Sequence, residues 1–87
     1  MIIQFSKNFE KQLIKLPNKV KSQFFDRLEI FKENPLNPIL RNHALKGDFS
    51  KYKSINIAGD IRALYTEKDD GSVVLFVLIG SHSQLYR

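Results

Sequence analysis

Apolar residues recur along this chain with two different periods, and the change from one to the other divides it into parts. Between Met1 and Phe5, Ile3 and Phe5 alternate with polar Gln4, the period of a short strand with one buried face. From Lys7 the spacing becomes helical. Phe9, Leu13 and Leu16 recur every three or four residues, which predicts an amphipathic helix capped by Ser6 and ended before Pro17. Leu16-Pro17-Asn18 is a break short enough to fold two helices back on each other. Val20, Phe24, Leu28 and Phe31 mark the buried stripe of the second helix, predicted over Asn18 to Glu33. Pro35 stops it near Asn34, because the residue before a proline disfavours helical geometry.

Pro35 to Ser50 reads as a loop, punctuated by Asn34-Pro35, Asn37-Pro38 and Gly47. It carries Arg41 and Asn42-His43-Ala44-Leu45-Lys46-Gly47, and is predicted to lie over the sheet rather than within it. Beyond it the period is that of strands. Two runs of β-branched and aromatic residues flank Gly59-Asp60 as a hairpin, and Asp69-Asp70-Gly71-Ser72 is a tight-turn signal leading into a third strand, Val73 to Ile79. A three-residue loop Ala58-Gly59-Asp60 would set Ile57 opposite Ile61 and Asn56 opposite Arg62. That register gathers Ile55, Ile57, Ile61, Ala63 and Tyr65 on one face. The other face then carries Tyr52, Ser54, Asn56, Arg62 and Thr66, interrupted only by Leu64. The third strand is apolar on both faces and requires neighbours on both sides. Its exit, Gly80-Ser81-His82-Ser83-Gln84-Leu85-Tyr86, points His82 and Tyr86 toward the rim of the polar face. The expected fold is a single α+β domain of order β-α-α-β-β-β. A helical hairpin covers one face of an antiparallel sheet and the other face is partly open.

Composition narrows the partners more than the fold. The chain has 87 residues, 43% apolar, with seven phenylalanines, enough for one core without covalent staples. The absence of cysteine excludes disulfides and thiolate zinc sites and fits residence in the cytoplasm. The first residues are too short an apolar run for a signal peptide, and no window approaches a membrane span. A formal net charge of +5 favours a polyanion or an acidic protein as partner. The cations fall in two groups. Lys7, Lys11, Lys15, Lys19 and Lys21 crowd the first quarter, while Lys46, Lys51, Lys53 and Arg62 surround the sheet. The stripe Lys7, Lys11, Lys15 repels itself by roughly a few tenths of a kcal/mol per pair, which suits either a solvated face or a polyanion-binding one.

The chemistry rests on the two histidines. His43 precedes the meander and His82 follows it, and both converge with Arg62 on one polar face. Histidine titrates near neutrality and serves as general acid or base, while arginine and lysine stabilise the extra charge of a phosphoryl transition state. Without a carboxylate cluster, that set fits metal-independent RNA cleavage by attack of the 2′-hydroxyl on the adjacent phosphate. No metal or cofactor is called for. Asp60 can orient a histidine or accept a proton, although an Asp after Gly at a hairpin is first a turn residue. Tyr86, Tyr52 and Phe49 are able to stack an unpaired base, with packing as the competing role, above all for Phe49. The candidate catalytic set is therefore His43, Asp60, Arg62, His82 and Tyr86, with Lys46, Lys51, Lys53 and Asn56 as candidate RNA-binding residues.

Four stretches together resemble the RelE/ParE superfamily of toxins from type II toxin–antitoxin systems, and within it the YafQ-like mRNA interferases. They are the Phe-, Lys- and Leu-Pro-containing helical hairpin, Asn42 to Gly47, Gly59-Asp60-Ile61-Arg62-Ala63-Leu64-Tyr65, and Ile79 to Tyr86, and they span nearly the whole chain. Gly-Asp-x-Arg is shared with superfamily members that do not cut RNA. The loop histidine with Leu-Lys-Gly and the terminal Gly-Ser-His-Ser are closer to the nuclease branch. The resemblance implies a RelE-like fold and a ribosome-dependent endoribonuclease that cleaves mRNA and inhibits translation. It also implies a cognate antitoxin, the ribosome and mRNA as partners. It implies proton transfer by His43 and His82 with help from Asp60, base stacking by Tyr86, and phosphate contacts from Lys46, Lys53 and Arg62. The chain departs from that pattern at Asn56, where a further histidine is common, at Ile61, where an aromatic residue is common, and at Leu78, where an arginine is frequent. Arg62 would supply that arginine's charge from the neighbouring strand. Two other outcomes are compatible with the superfamily. One is a ParE-like toxin that blocks a protein target such as gyrase, and the other is a catalytically inactive antitoxin-binding module.

Overall fold

In the computed structural model of the chain, which describes residues 1–86, both long helices fall where apolar spacing predicts them. Helix α1 is Lys7–Ile14 and α2 is Asn18–Glu33. Ser6 caps α1, its Oγ accepting from the Phe9 N–H at 3.0 Å. At the other end Lys21 donates to the Ile14 carbonyl at 3.3 Å, where the helix dipole favours a cation. Lys7, Lys11 and Lys15 are exposed, so the self-repelling stripe is solvated.

Five strands form one sheet: β1 Ile2–Phe5, β2 His43–Ala44, β3 Lys53–Ala58, β4 Ile61–Lys68 and β5 Val73–Ser81, in the order β1-β5-β4-β3-β2. A short helix α3, His82–Leu85, follows β5. The meander β3-β4-β5 stands as expected, and β5 has the two neighbours its apolar faces require. The sheet is mixed, however, not antiparallel, because β1 runs parallel to β5 with Ile2 opposite Val73 and Phe5 opposite Phe76. A four-residue strand carries no signal of direction in its own sequence. Its orientation comes from Ser6, whose N–H donates to the Phe76 carbonyl at 2.9 Å and whose Oγ donates to the Val77 carbonyl at 3.2 Å.

Two β-bulges adjust the register. Asn56 faces Arg62 as expected, but Ala58, not Ile57, faces Ile61. The hairpin loop is the two-residue Gly59-Asp60, and the residue it lacks is taken up by a bulge at Ile57. The extra residue keeps Ile55 and Ile57 both buried, which a plain two-residue hairpin would not. Gly59 supplies the positive φ of the turn, 52°. On β5, Leu78 pairs with Leu64 while Phe76 pairs with Tyr65, so Val77 is the second extra residue. It shifts the pleat by one, allowing Val74, Phe76 and then Ile79 to face the helices.

That face holds the core. The Phe76 ring lies 5.7 Å from Phe9 and Phe24, 5.8 Å from Phe31, 5.6 Å from Tyr65 and 6.0 Å from Phe5. Each element of the helical layer and three strands thus meet at one ring. Among the described residues no helix is long and apolar enough to cross a membrane.

Because Phe76 is fully enclosed, Phe76→Ala is expected to cost about 3–5 kcal/mol. Ile14→Ser, at a position 71% exposed, should stay within about 0.5 kcal/mol of wild type. Urea unfolding of the two variants reads both values, and equal losses would mean that the ring is not the centre of the core.

Candidate functional site

The sheet face away from the long helices is covered in part by the segment between β2 and β3. Directly opposed strand residues share a face, so the pairings place His43, Ser54, Leu64 and Leu78 in one row across β2, β3, β4 and β5. Asn56, Arg62 and Gly80 form the next. His43 is therefore in the sheet and not in a loop above it. It stands on an edge strand of two residues held by β3, a pairing that strand propensity over two residues could not announce. The segment joining β2 to β3 is anchored by the Leu45 N–H donating to the Tyr52 carbonyl at 3.1 Å and by a short 3₁₀ turn, Gly47–Phe49.

Helix α3 delivers the second histidine. Ser81 and Gln84 form a capping box. The Gln84 N–H donates to Ser81 Oγ at 3.2 Å, and the Ser81 N–H donates to Gln84 Oε1 at 2.8 Å. Gly80 makes room for this turn, since a Cβ there would stand 2.9 Å from Gln84 Oε1. The Ser-x-x-Gln spacing was present in the sequence and is the signal that could have announced α3. As the first residue of the helix, His82 donates its N–H to the Asp60 carbonyl at 3.1 Å, which ties the histidine to the β3-β4 turn.

A cavity of about 410 Å³ results, lined by His43, Leu45, Lys46, Phe49, Arg62, His82 and Tyr86. Five of the nine sequence-predicted residues line it: His43, Arg62, His82, Tyr86 and Lys46. The other four do not. Asp60 is exposed at the turn and meets the site through its carbonyl. Asn56 lies behind Arg62, its Oδ1 accepting from Arg62 Nη1 in a close contact, with the Gly59 carbonyl a second acceptor at 3.4 Å. Lys53 is paired with Glu67, and the Lys51 ammonium lies 5.3 Å from the centre of the Tyr52 ring. Leu45 was not singled out from sequence, and nothing in its pattern marks it. Phe49 joins the aromatic wall, 5.2 Å from Tyr86 and nearly perpendicular to it, while the Tyr86 ring lies 4.7 Å from His82.

A buried tyrosine supports the His43 side through Asn42. Tyr65, enclosed in the core, donates its hydroxyl to Asn42 Oδ1 at 2.8 Å, and Asn42 Nδ2 donates to the Pro35 carbonyl at 3.0 Å. Burial pushes the Tyr65 phenol up to about 12, so it remains a donor across the ordinary pH range. Next to Asn42, His43 Nδ1 lies 2.7 Å from the Arg41 carbonyl. Ser54, opposite His43, is fully buried, and its Oγ has no hydrogen-bond partner among the described residues. Among those residues no three of His, Asp and Glu converge as metal ligands.

A family profile described as the bacterial toxin of type II toxin–antitoxin system, YafQ, matches residues 1–87. No curated protein sequence matches significantly. Similar solved structures include YafQ from Escherichia coli strain BL21(DE3), with a TM-score of 0.81 and 19% identity over 98% of this chain and 97% of that one. The DinJ–YafQ complex of Escherichia coli gives 0.71 and 21% over 98% and 97%. A copper-bound mutant toxin from Helicobacter pylori gives 0.71 and 28% over 99% of each chain.

The Tyr65 phenol has a folded value above its ordinary 10.0, so its contribution is present below pH 10 and lost as the pH rises toward 12. Tyr65→Phe, which leaves Asn42 Oδ1 unpaired, is expected to be about 1–2 kcal/mol less stable than wild type at neutral pH. That difference should shrink between pH 10 and 12 in paired urea titrations, and one constant across that window would refute the assignment. Ser54→Ala removes an unpaired buried hydroxyl and is expected to raise stability by about 1 kcal/mol. A lowered melting temperature would show that the hydroxyl is satisfied in solution.

Proposed function

The chain belongs to the YafQ family of bacterial toxins of type II toxin–antitoxin systems, and from that premise we propose that it is a ribosome-dependent endoribonuclease that cleaves mRNA and arrests translation. The observation that carries the proposal is the convergence of His43, His82, Arg62 and Lys46 on one open cavity with an aromatic wall. Two imidazoles match the two proton transfers of cleavage by the 2′-hydroxyl. One takes the proton as the 2′-oxygen bonds to phosphorus, and the other gives a proton to the 5′-oxygen as its bond to phosphorus breaks. The products are a 2′,3′-cyclic phosphate and a 5′-hydroxyl end, and the chemistry needs no metal ion.

Negative charge grows on the phosphoryl oxygens during the step. Arg62 has five N–H donors, and Asn56 and the Gly59 carbonyl occupy only Nη1, so the guanidinium retains donors for phosphate. Lys46 adds a second cation at the mouth. Tyr86, braced edge-on by Phe49, offers a face on which an unstacked base can lie. Asp60 supports His82 through the carbonyl that accepts its N–H. Asn56 acts by holding Arg62. The exposed lysines of α1 suit ribosomal RNA. A basic, open-faced toxin suits an acidic antitoxin segment that folds on binding, and a structural neighbour, YafQ, is known in complex with its partner DinJ.

Expression without antitoxin, with the 5′ ends of cellular mRNA mapped, tests this reading. Wild type should arrest growth and create new ends within translated frames. His43→Ala, His82→Ala and Arg62→Ala should each reduce cleavage by about 10²- to 10⁴-fold. Arrest with intact messages and DNA damage would replace the nuclease by a gyrase-type blocker, and absence of arrest by an inactive antitoxin-binding module.

A further inference from the structure

Which nitrogen of His43 receives a proton is set by a residue outside the cavity. We infer that Arg41 is a positioning residue: its left-handed backbone aims its carbonyl at His43 Nδ1, fixes the Nδ1–H tautomer and presents Nε2 to the cavity as the proton acceptor. This deepens the nuclease reading and rests on it for its catalytic meaning. The tautomer itself stands on geometry alone.

The contact is short, 2.7 Å between Nδ1 and the Arg41 oxygen. A carbonyl oxygen can only accept, so Nδ1 must carry the proton, and in the neutral ring Nε2 then carries the lone pair. Among the described residues Nε2 has no hydrogen-bond partner, and His43 is one of the residues that line the cavity. A base with one nitrogen bound to the protein and the other open to substrate is the arrangement general-base catalysis requires. By elimination His82 becomes the acid that serves the leaving 5′-oxygen.

The aim of the Arg41 carbonyl is imposed, not incidental. Arg41 has φ 48° and ψ 43°, a left-handed conformation uncommon for a residue with a Cβ. Hydrogen bonds on both sides hold it there. Its own N–H donates to the Pro38 carbonyl at 3.2 Å, closing the 3₁₀ turn Pro38–Leu40, and the next residue, Asn42, is clamped between Tyr65 and Pro35. Backbone strain held by surrounding structure is commonly found beside functional groups. Here it points a peptide oxygen at an imidazole two residues ahead.

The test separates tautomer from activity. Nitrogen-15 NMR of the imidazoles, at a pH where both are neutral, should show His43 as the Nδ1–H form, whereas histidine in the urea-unfolded chain should show predominantly Nε2–H. An Nε2–H signature for His43 in the folded wild type overturns the inference, whatever the nuclease does. Arg41→Gly, which adopts positive φ freely, should keep the signature and the cleavage rate within about twofold of wild type. Arg41→Val, whose branched Cβ opposes that conformation, should shift the signature toward Nε2–H and lower cleavage by about tenfold or more. Its circular dichroism and melting curve establish that it is folded. A folded Arg41→Val with the wild-type signature would overturn the role of Arg41. Retention of the Nδ1–H form in a wild-type protein that cuts no RNA would refute the nuclease reading while supporting the structural assignment.

Discussion

The structure depends on the demand of β5 to be covered on both faces and paired on both edges. Phe76 concentrates that demand in one ring, around which α1, α2, β1 and β4 supply aromatic neighbours within about 6 Å. Aromatic pairs prefer offset and edge-on contact to face-to-face stacking, so the ring constrains direction as well as distance. Pairing on its second edge draws in β1, and Ser6 fixes β1 and the start of α1 with the same two carbonyls of β5. The helical hairpin is thus positioned by the strand that also leads into His82.

The candidate site takes its shape from departures from regular structure on the opposite face. A strand that kept a strict period of two would send Ile79 away from the core, and the bulge at Val77 prevents this. The same bulge brings Leu78 next to Leu64 in the row that contains Ser54 and His43. Gly80 then permits the chain to turn into α3 at once. Three irregular features lie on the His43 side: Arg41 at positive φ, Ser54 with a hydroxyl that has no partner among the described residues, and a two-residue strand at the sheet edge. Such features reduce stability, and a site that must hold groups in one geometry is where they are tolerated.

Legibility in the sequence followed from how local each signal is. The two long helices could be read because three or four apolar positions at helical spacing and a flanking proline decide a helix without reference to the rest of the chain. The β3-β4 hairpin was half legible. A three-residue loop and a two-residue loop with a bulge at Ile57 bury the same side chains, so burial pattern alone cannot choose between them. Strand β2 was invisible because the free edge of β3 makes it a strand, and its direction, like that of β1, is a tertiary property. The site divided in the same way. Arg62, His82 and Tyr86 could be placed together from register, whereas His43 could be read only as part of a loop over that face and not as a residue of the sheet. Lys53 and Lys51 could not be placed, because the partners that draw them aside, Glu67 across the strand and the Tyr52 ring, are visible only in three dimensions.

The absence of a histidine at Asn56 and of an arginine at Leu78 bears on how few groups the chemistry needs. In-line attack by a 2′-hydroxyl requires one acceptor, one donor and one stabilised anion. Under the proposed mechanism those three demands fall on two imidazoles and one guanidinium, and Asn56 is a brace because its Oδ1 accepts from Arg62. A histidine there would compete for protons. An asparagine lowers the entropy of the arginine and leaves the two proton carriers distinct. With Arg62 on β4 and Leu78 opposite a fully buried Leu64, the proposed site takes its positive charge from the neighbouring strand and keeps two leucines side by side in the next row. The site therefore depends more on orientation than on number of groups, which is why backbone carbonyls at Arg41 and Asp60 carry so much of its geometry.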